Sequence, residues 1–246
     1  MGIVNGNKSN FCGFLWNNCI WRWRCYKKIT EIICKSGQCN PKDVAKFWWQ
    51  DFQKTYLNSY GESFELQRIL EKKSLIHTLE KFNSSANVNE LSNMLFDYWV
   101  KPPIFKDSKA FFNMCPLPIY IVSNIDNSDI MQAIKYHSLQ PAGVFTSEDA
   151  KSYKPRKELF EVALKTTGFK ASEVIHIGDS LNSDVYGASN VGIRAIFLNR
   201  FGKIIPDGIE SITSMLEVFK FINKWFWFVF KKNSANDFLT MKQSAY

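Results

Sequence analysis

At 246 residues, 46% of them hydrophobic, the chain has the size and composition of one large globular domain, or of a core with an insertion. Its formal net charge is +8, but the lysines and arginines are scattered singly and in pairs, which excludes the basic run of a nucleic-acid tail. No apolar run is as long as a membrane helix, and the Cys/Trp/Arg mixture near Met1 breaks any signal-peptide pattern. The expectation is a cytoplasmic protein with no nucleic-acid partner and no stable membrane insertion.

Residues 1–26 read as no regular element. Three of the eight tryptophans and three of the six cysteines fall there, without helical or strand periodicity. The cysteines (Cys12, Cys19, Cys25, Cys34, Cys39 and Cys115) form no C-x-x-C pair and read as free thiols.

From Lys27 the pattern turns helical, with Ile29, Ile32 and Ile33 on one face. Asn40-Pro41 is a helix start, the asparagine as cap and the proline in the first turn. Val44, Phe47, Trp48, Phe52 and Tyr56 follow at helical spacing. Residues 64–82 and 87–100 give two more amphipathic helices. The aromatic face of this block, residues 27–105, reads as core rather than as a cofactor site.

Pro102-Pro103 ends the block. A short helix carries Lys109 to Phe112, and Pro118 to Val122 is a strand running into Ser123-Asn124. A helix over 126–136 follows, then a strand over 143–146, Lys154-Pro155, a helix over 157–166, a strand over 174–177 and a strand over 192–198. Alternation of this kind predicts an α/β fold, a Rossmann-like parallel sheet with helices on both faces. Core residues 106–222 are then followed by a C-terminal extension, 223–246, whose Trp225 to Phe230 stretch is too short to span a bilayer.

Three sets of residues fall at the carboxyl ends of these strands, where open α/β sheets bind ligands. Ser123 and Asn124 offer a hydroxyl with backbone N–H groups for phosphate oxygens. Lys154 can neutralise a transferring phosphoryl group and a nearby carboxylate. Asp179 follows the sharp turn allowed by Gly178, and Asp184 lies about one helical turn on. Two carboxylates so close favour a cation between them, and Mg²⁺ suits hard oxygen ligands. The same spacing also suits a helix N-terminus capped by Ser180 or Asn182, with Asp184 set against the dipole.

In order and spacing these residues resemble the haloacid dehalogenase-like (HAD) hydrolase superfamily. Ile121-Val122-Ser123-Asn124 looks like its second motif, Lys154 in Ser152-Tyr153-Lys154-Pro155 its third, and Gly178-Asp179-Ser180-Leu181-Asn182-Ser183-Asp184 its fourth, in the form of the Mg²⁺-dependent phosphatases. The resemblance covers residues 27–222 and implies that 27–105 is an all-helical cap inserted after the first core strand, closing over the site. It implies phosphate and substrate binding by Ser123, Asn124 and Lys154, catalytic roles for Ser123 and Lys154, and Mg²⁺ at Asp179 and Asp184.

One departure is large. The family's first motif is a strand ending in Asp-x-Asp/Tyr-x-Thr, whose first aspartate is the nucleophile. It belongs near residues 8–20, yet no acidic residue precedes Glu31. Permitted codons for residues 5–28, read one base out of phase, give MEIKVIFVDFYGTIVYGDGDVIKK: a start, a hydrophobic strand, the first motif and the beginning of the cap. Phase would be restored in the adenine-rich codons of Lys27-Lys28. Residues 1–26 therefore read as a frameshifted HAD start that replaces the first core strand. The expectation is a Mg²⁺-dependent phosphatase acting on a small phosphate ester through an aspartyl-phosphate, inactive as written. The tyrosine of the out-of-phase motif resembles the 2-haloacid dehalogenases, the second reading. A non-catalytic protein, its sheet left with two exposed edges, is the third.

Overall fold

The computed structural model describes residues 9–13 and 19–222, with side chains described from residue 24 onward. Its core is a six-stranded parallel sheet in the order β3-β2-β1-β4-β5-β6. The strands are β1 (Ser9–Gly13), β2 (Ile119–Ser123), β3 (Gly143–Thr146), β4 (Val174–Gly178), β5 (Arg194–Leu198) and β6 (Ser211–Ile212). The α/β Rossmann-like class is thus as expected.

The centre of the sheet is where sequence and structure part. Residues 1–26 carry no strand pattern, yet β1 is the middle strand. It pairs with β2 on one side, Gly13 opposite Val122, and with β4 on the other, Cys12 opposite Ile177. The physical reason is that ladder hydrogen bonds come from the backbone. Two strands with unpaired N–H and C=O groups facing one gap will accept almost any extended segment. The two exposed edges foreseen for the frameshifted chain do not arise. The first helix also begins earlier than expected, at Cys19 rather than Lys27.

Between β1 and β2 lies the helical block: α1 (Cys19–Gly37), α2 (Pro41–Leu57), α3 (Gln67–Lys81) and α4 (Val88–Val100). The side chain of Asn40 accepts the Lys42 N–H at 2.9 Å and Pro41 occupies the first turn of α2. Asn87 caps α4 in the same way. Ile29, Ile33, Val44, Trp48, Leu75, Leu91 and Leu95 close the block's own core. Its aromatic residues therefore do pack as core in part: Trp48, Phe52 and Tyr56 are buried, Phe47 half-buried.

The sheet is covered on both faces. Ile119, Ile121, Ile175 and Ile177 point to the side of α5 (Lys106–Met114) and α6 (Asn127–His137). Val122 and Val174 point to the other side, against Leu159, Phe160 and Ala163 of a later helix. That later helix is α8 (Glu158–Thr167), which follows the short α7 (Ser147–Ala150). This period-2 alternation within strands buried on both faces is what a parallel sheet requires. The two-residue edge strand β6 carries too short a pattern to be read from sequence. Among the described residues no helix is long and apolar enough to cross a membrane. The extension 223–246 lies outside the described residues.

Candidate active site

All the residues expected at the site come from the carboxyl edge of the sheet. Ser123 is the last residue of β2, Asp179 follows β4, and Asp184 lies in a π-helical turn, Leu181–Tyr186, directly beyond it. Lys154 arrives from the loop between α7 and α8, through a cis bond to Pro155.

Asp184 is the hub. Its Oδ1 accepts Lys154 Nζ at 2.6 Å and faces His176 Nε2 at 3.0 Å, while its Oδ2 accepts the Ser180 N–H at 3.1 Å. The group is almost wholly out of water. Burial alone pushes its pKa up, but the Lys154 ammonium and the His176 imidazole outweigh that and hold it far below the usual carboxylate range. The other end of the arrangement is the Val122 carbonyl, which accepts Lys154 Nζ at 2.9 Å. Lys154 is thus a buried ammonium fixed between a carboxylate and the backbone of the neighbouring strand.

Gly178 makes this approach possible. A Cβ at 178 would overlap the carboxylate of Asp184. The glycine is needed for close approach as well as for the turn.

The side chain of Asn124 has a job that the sequence did not show. Its Oδ1 accepts the Lys154 N–H at 2.7 Å and its Nδ2 donates to the Lys154 carbonyl at 3.0 Å. Both ends of the amide are committed to one backbone unit. Asn124 is a clamp that sets where Lys154 stands.

His176 was not singled out in the sequence. It is fully buried in β4, stacked edge-on against Phe160 with ring centroids 5.1 Å apart. The signal was present: a polar residue inside a fully apolar strand needs a partner.

The helical block is tied down beside this edge. The Asp126 carboxylate, at the start of α6, accepts the N–H groups of Gln67 at 2.7 Å and Arg68 at 3.1 Å, capping α3 from the core. Burial pushes the Asp126 pKa up. Arg68 also pairs with the buried Asp129, and Tyr153 donates to the Glu65 carbonyl at 2.8 Å. None of these links between block and core was visible in the sequence.

Between block and core lies a cleft with a cavity of about 220 Å³. Ser123, Asn124, Lys154 and Asp184 are on its floor, and α1, α2 and α4 supply its roof. Asp179 directly precedes Ser180, whose N–H reaches Asp184 Oδ2. With both Asp184 oxygens engaged, and with no three His, Cys, Asp or Glu side chains grouped among the described residues, these residues do not by themselves make a Mg²⁺ site. Cys25, Cys34, Cys39 and Cys115 are free thiols. The side chains of Cys12 and Cys19 lie outside the described ones.

The comparison with known proteins agrees with this geometry. The sequence model of the haloacid dehalogenase-like hydrolases matches residues 27–192. A relative from Danio rerio, haloacid dehalogenase-like hydrolase domain-containing protein 3, is 32% identical over 186 residues, 71% of this chain. The glyceraldehyde 3-phosphate phosphatase of Pyrococcus furiosus is 44% identical over 57 residues, 23% of this chain. The match spans 66% of the first relative's length and 23% of the second's. An L-2-haloacid dehalogenase of known structure shares the fold with a TM-score of 0.71 at 13% identity, over 89% of this chain and 99% of its own. With its sheet order, its inserted helical block and its carboxyl-edge residues, the chain belongs to the haloacid dehalogenase-like hydrolase family.

Proposed function

We propose that this fold serves Mg²⁺-dependent hydrolysis of a small phosphate ester, and that the chain as written lacks the nucleophile for it. The observation that carries the reading is the position of Lys154. A buried ammonium held by Asp184 and clamped by Asn124 stands beside Ser123, at the edge where β1 ends. That is the charge and geometry wanted by a phosphoryl group being transferred.

In the out-of-phase reading the aspartate of VDFYGT falls at position 13, the last residue of β1. The strand ends there between β2 and β4. A carboxylate at that point would attack phosphorus in line, expel the alcohol and form an acyl phosphate. Water would then release phosphate and return the carboxylate. Ser123 would bind the phosphoryl oxygens and Lys154 would offset their charge. Mg²⁺ would be held by Asp179 with that restored carboxylate, which the present residues lack. The family match begins at residue 27, where the two reading frames rejoin, and this supports the frameshift.

The second reading, haloacid hydrolysis, has the out-of-phase tyrosine and the fold of the dehalogenase in its favour. Against it, the likeness at 13% identity concerns the fold alone, while the sequence likeness at 44% is to a phosphatase. The same proposal keeps the protein in the cytoplasm, with a small-molecule substrate.

The test uses the chain carrying the out-of-phase sequence over residues 5–28. It should hydrolyse p-nitrophenyl phosphate with Mg²⁺, stop when the metal is chelated, and leave 2-chloropropionate intact. Metal-independent release of chloride with no phosphatase activity would select the dehalogenase instead.

A further inference from the structure

We propose that Cys34 and Cys39 form a redox pair, closed by a small disulfide such as oxidised glutathione, and that the bond ties the end of α1 to the start of α2.

The turn between these helices brings the two thiols together. Cys34 stands in the last turn of α1, and Cys39 directly precedes Asn40, the cap of α2. Their Sγ atoms are 2.7 Å apart. A disulfide needs about 2.05 Å, so the bond closes with a movement shorter than a bond length. The thiols meet because the backbone reverses at the helix end. Gln38 has a φ of 53°, and its N–H returns to the Cys34 carbonyl at 2.8 Å. This left-handed helix terminus carries the next residue back over the last turn.

The turn is also held from outside. Gly37 lies so close to the Phe82 carbonyl that a Cβ would overlap it, and Ser36 and Ser84 share a hydrogen bond at 2.6 Å. Ile33 and Val44, beside the pair on either helix, are fully buried. The fold itself therefore sets the two sulfurs against each other. Both cysteines lie within the residues that the family model matches, so the pair does not depend on how residues 1–26 are read. Because α1 and α2 supply part of the cleft's roof, the bond braces the block above the site.

The two thiols are unequal. Cys34 is buried, and burial together with the neighbouring Cys39 thiol pushes its pKa up to about 12. Cys39 is half-buried and is the side that an oxidant reaches. Its thiolate attacks one sulfur of oxidised glutathione, giving a mixed disulfide and releasing one glutathione, which takes the proton that Cys39 lost. The Cys34 sulfur then attacks Cys39 Sγ, and its proton goes to the departing second glutathione. Two protein thiols are oxidised and one glutathione disulfide is reduced to two thiols. A thiol of such high pKa attacks slowly in solution. Against a sulfur already in contact, the same step is effectively unimolecular.

Trypsin cleaves after Lys35, between the two cysteines, which makes the bond directly readable. The folded chain is incubated with oxidised glutathione, its remaining thiols are alkylated, and the digest is mapped without reductant. Peptides 29–35 and 36–42 should appear joined, two hydrogens lighter than the separate pair, and should part in dithiothreitol. The oxidised chain should melt about 4–8 °C above the reduced one, because the bond closes a short loop of the unfolded chain. Cys39→Ser should remove both the link and the rise, and it leaves the buried Cys34 in place. Alkyl or glutathione labels on both cysteines without a link, or a link formed only in urea, would overturn the pair. A link with no rise in melting temperature would overturn the tie between α1 and α2.

Discussion

Lys154 Nζ lies 2.6 Å from Asp184 Oδ1, and both side chains are almost wholly buried. Each is the other's reason for being charged inside the protein. Taking two ions out of water costs several kcal/mol apiece, by an estimate of about that size, and only close pairing with further hydrogen bonds recovers it. His176, the Ser180 N–H and the Val122 carbonyl supply those bonds.

Removing one partner should therefore be costly. Asp184→Asn leaves a buried ammonium without its counter-charge and should lower stability by about 3–5 kcal/mol. Urea denaturation of the two proteins at neutral pH measures it. A difference below about 1 kcal/mol would mean that Lys154 turns to water without loss.

The pH dependence follows from the direction of the Asp184 shift. Its folded pKa is depressed, so its contribution to stability is fully present above the unfolded value of about 3.9 and is lost as pH falls through the lower folded value. The stability gap between the chain and Asp184→Asn should stay constant from pH 7 to pH 5. It should narrow only in strong acid. Narrowing between pH 7 and pH 5 would show that the carboxylate titrates normally.

Gly178→Ala forces a methyl group into the Asp184 carboxylate. Overpacking of this kind costs about 1–3 kcal/mol. The melting temperature should fall, and by less in the Asp184→Ala background, where the methyl has room. Equal losses in the two backgrounds would show that the glycine serves the turn alone.

Asn124→Ala removes two hydrogen bonds from the Lys154 backbone unit. At about 0.5–1.5 kcal/mol each, the expected loss is about 1–3 kcal/mol. Amide exchange at Lys154 should rise with it. Unchanged exchange at that amide would mean that Asn124 does not hold the loop.

Most of the sheet was legible because its strands obey local rules. Val174 to Gly178 and Ile119 to Ser123 are short apolar runs ended by polar residues, and the helices beginning at Pro41 and Val88 announce themselves by Asn40 and Asn87. The positions of Ser123, Lys154 and Asp184 at one edge followed from topology. Their roles did not. That Asn124 clamps backbone, that His176 completes the Asp184 site, and that Asp126 caps α3 across 58 and 59 residues depend on contacts between segments far apart in the chain. β1 was illegible for another reason. Ser9–Gly13 has little that is strand-like by composition beyond Phe11, and its place is set by the two strands that flank it.

The central claim is that a family fold is intact here while the nucleophile of its first strand is missing. Initial rates with p-nitrophenyl phosphate and Mg²⁺ test it, measured for the chain as written beside the chain carrying the out-of-phase sequence over residues 5–28. Loss of a nucleophile removes more than about 1,000-fold in turnover, so the corrected chain should be faster by at least that factor. Comparable Mg²⁺-dependent rates from the two chains would contradict the account, because another group would then be attacking phosphorus.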